Sequence, residues 1–130
     1  MYVKYNANPD GRNTNDCTVR AISLVLGLSW EEAYMRLCVE GFGLHNMPDN
    51  NETWSSYLRR AGYKRYSLPN TCPDCYNVLD FCMDFPAGRY IVATGSHVIG
   101  VIDGNYYDTG DSGYEPLIYY WAKEKNDANV

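Results

Sequence analysis

The apolar pattern of this chain changes period at Gly88, and that change limits the fold more than any other feature. Before it, apolar residues recur at helical spacing in successive segments; after it, short β-branched runs are broken by Gly95-Ser96 and Asp103-Gly104. Helices followed by strands joined through tight turns fold as α+β, here with N-terminal helices packed on a C-terminal antiparallel β-sheet. A length of 130 residues suits a single domain spanning 1–130 around one core.

The individual segments follow from local chemistry. Residues 1–16 hold an Asn-Pro-Asp-Gly run and four asparagines, which read as an opening loop because Asn and Asp bond to their own main chain and tolerate left-handed backbone. Val19, Ala21, Ile22, Leu24, Val25 and Leu26 then predict a largely buried helix from Cys17 that Gly27 closes. Ser29 and Glu32 form a capping box for a second helix running to about Cys38, and a loop over 40–51 follows. Trp54, Tyr57, Leu58 and Ala61 predict a third helix that stops at Gly62, before a short extended run from Tyr63 to Pro69. A fourth helix is expected with Pro73 in its first turn and Val78, Leu79, Phe81, Cys82 and Phe85 along its buried stripe. Strands are expected at 89–94, 97–102, 105–108 and 117–121, with Asp103-Gly104 as a hairpin turn.

Charge and composition exclude several partners. A formal charge of −5 and a pI near 4.8 leave no basic surface to neutralise phosphates, so nucleic acid is not an expected partner. No run of about 18 apolar residues is present, so no membrane span is expected. The start lacks the apolar stretch of a secretory signal, which points to a cytoplasmic setting. All five cysteines, Cys17, Cys38, Cys72, Cys75 and Cys82, are accordingly read as thiols.

Cys17 stands at the junction of a polar run, Asn13 to Asp16, and the first apolar helix. A thiolate is favoured there, because the unpaired amides and the dipole of a helix N-terminus carry partial positive charge. Acyl transfer by a thiol also needs a base, and a third group that holds the base in one tautomer. Of two histidines, His97 opens a predicted strand, and across the hairpin Asp108 ends the partner strand at the same end of the sheet. The three candidates are therefore Cys17, His97 and Asp108. Asp103 and Asp111 compete for the third role, although Asp103 is accounted for by its turn with Gly104.

A cysteine opening the first core helix, a Gly-Ser-His-Val opening a hairpin and an aspartate ending the next strand together resemble the papain-like cysteine peptidases. In compactness the chain is most similar to the peptidase domains of bacteriocin-exporting transporters, over roughly Asn13 to Gly113 in order and topology. The resemblance implies a papain-like fold, with Cys17 as nucleophile, His97 as general base and Asp108 as the orienting carboxylate. A peptide or protein substrate is expected, and no cofactor or metal. Such enzymes carry a glutamine before the cysteine as an oxyanion donor, and this chain contains none. Asn13 or Asn15 can take that place beside the backbone N–H of Cys17, with Asn13 preferred because it lies farther upstream.

Blander readings stand beside these. A cysteine in apolar surroundings is commonly a small buried hydrophobe, and Asp108 lies in a turn-rich stretch where aspartates bond the backbone. Cys72 and Cys75 form a C-x-x-C pair, but a structural zinc would need Cys38, Cys82 or His45 brought from elsewhere, and a thioredoxin-like site needs a βαβ context that is missing. The loop around His45 is either a connector or a wall of the cleft. Thirteen tyrosines suit a sheet face with polar tips. The expected function is a small thiol hydrolase or acyltransferase acting on an amide, isopeptide or thioester bond. The alternative is an inactive papain-like scaffold that binds a protein or ligand, as a host- or phage-encoded factor would.

Overall fold

A computed structural model describes residues 1–124. The elements in chain order are β1 (Tyr2–Lys4), α1 (Cys17–Leu26), α2 (Trp30–Leu44), α3 (Asn51–Arg60), β2 (Tyr63–Ser67), α4 (Val78–Asp84), β3 (Arg89–Ala93), β4 (Val98–Ile102), β5 (Asn105–Asp108) and β6 (Tyr119–Lys123). The class is α+β: four helices and one six-stranded mixed sheet of order β1-β5-β4-β3-β6-β2. Among the described residues no helix is long and apolar enough to cross a membrane.

Strand alternation sorts the core into two layers. On β3 and β4, Ile91 and Val98 face α1, α2 and α3, where they pack with Ile22, Val25, Leu37, Trp54, Leu58 and Trp121. Val92, Ile99 and Val101 face the other way, onto α4, through Val78, Phe81 and Cys82. Gly100 lies under α1, where an added Cβ would come within 2.7 Å of the Leu24 side chain. Its missing side chain is what lets α1 lie close on the central hairpin. That hairpin turns at Asp103 and Gly104, both with positive φ, and pairs Ile102 with Asn105 and Val101 with Tyr106.

Several expectations from the sequence are corrected. The opening segment is not wholly loop: Tyr2–Lys4 pairs parallel to β5, so the sheet is mixed rather than antiparallel. Nor is the sheet wholly C-terminal, since β2 pairs with β6 along its full length. Three residues, none of them fully buried, are too short a run to stand out as a strand. Helix α2 runs to Leu44, six residues past Cys38, because Gly41 and Gly43 are tolerated inside it while His45 provides the left-handed cap. Helix α4 starts at Val78, not at Pro73: Asn77 and Asp80 form a full capping box there. The last strand lies at Tyr119–Lys123 instead of 117–121, and β3 and β4 each lose one terminal residue of the expected runs. Cys72 and Cys75 are joined as a disulfide, so they are not thiols; the turn between them brings their Cα atoms to 4.1 Å. Cys17, Cys38 and Cys82 remain free.

Gly41 has a specific reason to be glycine. A Cβ there would lie 2.6 Å from the backbone oxygen of Asn46, in the segment that joins α2 to α3. Gly41→Ala is expected to destabilise the fold by about 1–2 kcal/mol, because the backbone clash outweighs the gain in helix propensity. Chemical denaturation would show this as a lower midpoint with an unchanged slope.

Candidate active site

Cys17 is the first residue of α1, and the residue before it does not cap the helix. Asp16 makes no side-chain bond to the first-turn amides. Its carboxylate turns inward and accepts from Arg20 and, at 2.9 Å, from the Trp30 indole N–H. The positive end of α1 is thus left facing the half-buried Cys17 thiol.

His97 sits at the end of a tight turn just before β4. The Thr94 hydroxyl oxygen accepts the backbone N–H groups of Ser96 (3.2 Å) and His97 (2.9 Å), and the Thr94 N–H donates to the His97 carbonyl at 2.8 Å. The imidazole Nε2 lies 2.6 Å from Asp108 Oδ2, which leaves the other ring nitrogen for Cys17. Asp108 ends β5, where its carbonyl accepts from the Tyr5 N–H (2.8 Å) and the Tyr2 hydroxyl (3.2 Å), so β1 holds its backbone. Its carboxylate also accepts from Ser112 Oγ (2.8 Å), the Thr109 N–H (2.7 Å) and Arg20 Nη2 (3.3 Å).

The electrostatics follow from these contacts. Burial alone would raise the Cys17 pKa, but the hydrogen bond with His97, the Val98 backbone N–H, the His97 charge and the Thr18 hydroxyl together hold it below its ordinary value of 9.0. His97 is pushed up to about 10, chiefly by its bond to Asp108 and then by Cys17, against the opposing effect of burial. Burial would raise Asp108 too, yet the donors from His97, Ser112 and Thr109 keep it below the usual carboxylate value. The imidazolium that His97 carries near neutral pH shifts the Cys17 equilibrium towards the thiolate, relative to an isolated thiol. Cys82, on α4 and buried against the sheet, has its thiol pKa raised by burial.

Two depressions of about 360 and 370 Å³ meet at Cys17 and His97, with Asn15 and Ser96 lining both. Asn13 lines only one of them. Both asparagines are exposed, and Asn15 is the one that borders both depressions. Asp103 is a turn residue whose carboxylate accepts the Gly88 N–H, and Asp111 accepts from Tyr106, so neither rival reaches His97. His45 caps α2 and lies outside these depressions.

The sequence reading brought together the three residues but missed the charges behind them. Asp16 (5% exposed), Arg20 (7%) and Asp108 (3%) form a buried chain that runs from Trp30 to His97. The signal was present: an arginine within an otherwise apolar helix, four residues after an aspartate, places both on one helix face. Burial of an arginine is tolerated because both of its carboxylate partners are buried with it. Among the described residues, no group of three His, Cys, Asp or Glu is placed to hold a metal ion. No protein-family model matches this chain, and neither a curated protein nor a solved structure is significantly similar to it.

Proposed function

We propose that this protein is a small thiol hydrolase of papain-like fold, which opens an amide, isopeptide or thioester bond of a peptide or protein through an acyl-enzyme on Cys17. The observation that carries the reading is the contact of His97 with Asp108 at 2.6 Å, in a histidine that lines the same two depressions as the helix-start thiol of Cys17. In this reading the Cys17 thiolate adds to the carbonyl carbon. The oxyanion is received by the backbone N–H of Cys17 and the side-chain amide of Asn15, with Asn13 as the second choice. The His97 imidazolium gives its proton to the departing nitrogen or sulfur, leaving a thioester on Cys17. Neutral His97 then takes a proton from water as it attacks the thioester and keeps it as the Cys17 thiolate departs, which restores the starting pair. An amine in place of water makes the same site an acyltransferase.

The test is alkylation by iodoacetamide followed by intact-mass and peptide mass spectrometry. An ordinary thiol is only a few per cent ionised at pH 7, so Cys17 is expected to react on the order of 10-fold faster than Cys38, allowing for the weaker nucleophilicity of an acidified thiolate. Its rate should reach half-maximum below pH 9.0, because the His97 interaction lowers the thiol pKa from that value. Turnover, which also needs the imidazolium proton, should fall as pH rises through about 10. A Cys17 no more reactive than Cys38 would remove the activated nucleophile and leave a binding scaffold.

A further inference from the structure

Two buried carboxylates share one buried guanidinium behind His97: Arg20 lies between Asp16 and Asp108. The guanidinium balances one of these two charges, and the imidazolium of His97 is the cation left to balance the other. We propose that Asp16 is a positioning residue for His97: by holding the Arg20 guanidinium, it leaves the Asp108 carboxylate to the imidazole. The inference deepens the acyl-transfer reading above and rests on it for its consequence at Cys17.

Each carboxylate oxygen has its own donor. Asp16 Oδ1 accepts from Arg20 Nη1 and Oδ2 from the Trp30 indole N–H at 2.9 Å, so this carboxylate is held from two sides. Arg20 reaches Asp108 only with its other terminal nitrogen, Nη2, at 3.3 Å and on Oδ1. Oδ2 of Asp108 is left for His97 at 2.6 Å and for the Ser112 hydroxyl at 2.8 Å. A guanidinium freed from Asp16 would close on Asp108 with two nitrogens, its favoured geometry on a carboxylate, and would compete with His97 for Oδ2. Asp16 also forgoes the ordinary task of its position, since it stands at the N-cap of α1 and bonds no first-turn amide. A carboxylate that served only to start the helix would face those amides. Among the described residues, the other titratable or charged groups around His97 are Cys17 on α1, with Asp49 and Tyr119 on the depression they share; Arg20 lines the second depression with it.

The experiment follows the His97 ring signals by NMR against pH in the parent, Asp16→Asn, Arg20→Met and the double variant, each checked for folding by thermal denaturation. His45, the other histidine, caps α2 outside both depressions and gives the reference signal. Asp16→Asn keeps the shape and an acceptor for Trp30 but removes the charge. It is expected to lower the His97 midpoint by about one pH unit or more, a tenfold loss of proton affinity. Arg20→Met should raise the midpoint or leave it in place, because both carboxylates then act on the imidazolium. In the double variant one carboxylate again faces one imidazolium, and the midpoint should return close to the parent's. Should Asp16→Asn fail to fold, Arg20→Met with and without Asp16→Asn carries the test, and the midpoint should be higher where Asp16 is present. A His97 midpoint indifferent to Asp16 in the folded pair, or a lower one in Arg20→Met, overturns the inference and leaves Asp16 as a counter-ion for Arg20 alone. A midpoint that moves as stated, in a protein whose Cys17 alkylates no faster than Cys38, keeps the positioning role and removes the catalytic reading instead.

Discussion

Cys17→Ala is expected to remove acyl transfer, with turnover of peptide-amide and thioester reporter substrates falling by at least about 10³-fold. The loss should be in chemistry rather than folding. Alanine is the best helix former, Cys17 is only half buried, and the thermal midpoint should therefore stay within a few degrees of the parent's. His97→Ala should produce a comparable loss of turnover by a different route. It also removes the strongest influence that lowers the Cys17 pKa, so the alkylation midpoint should move up towards 9.0. A Cys17→Ala protein that turns over substrate like the parent would place the chemistry elsewhere.

Asp108→Asn is expected to damage both activity and stability. Asparagine keeps the shape but presents a neutral amide where His97, Ser112, Thr109 and Arg20 all require an acceptor. With the imidazole no longer held in one tautomer, turnover should fall by about 10²–10⁴. Arg20 also loses one of its two buried carboxylates, and the fold should lose about 3 kcal/mol, the scale for an uncompensated buried charge. The pH dependence checks the assignment. A carboxylate whose pKa is depressed by folding contributes stability above its unfolded value of 3.8, and that contribution disappears as pH falls through the lower folded value. The variant should therefore show a flatter decline of stability below pH 4 than the parent does. Arg20→Met offers the complementary case: Asp16 and Asp108 are both left without their cation, and the His97 titration followed by NMR should shift with them.

The parts of this structure that were legible in advance depend on neighbours in sequence. Helix α1 announced itself through dense apolar spacing and Gly27, α3 through Trp54, Tyr57 and Leu58, and the β4–β5 hairpin through Asp103-Gly104. The Cys17, His97 and Asp108 set was legible because each stands at the end of such an element. What was hidden depends on partners far along the chain. β1 is a strand only because β5 offers it an edge, and the reach of α2 past Cys38 is set by contacts around Gly41. The Asp16–Arg20–Asp108 chain combines a helix-face pair, visible in principle, with a carboxylate 88 residues away. The Cys72–Cys75 bond depends on the turn between the two residues, which brings their Cα atoms to 4.1 Å and which cysteine spacing alone does not reveal.

The wide separation of the site's parts along the chain has a consequence for how reactivity arises. The thiol belongs to an early helix, while the groups that ionise it lie beyond Thr94, on the central hairpin. Local helix formation alone gives Cys17 an ordinary helix-start environment; the pairing with His97 exists only after the long-range contacts between α1 and β4 have closed, and such contacts form slowly. A partly made or partly opened chain thus lacks the His97 influence that lowers the Cys17 pKa in the native chain. On the proposed function, reactivity would belong to completed tertiary structure alone, and the labelling rate of a single sulfur would serve as a clock for its completion.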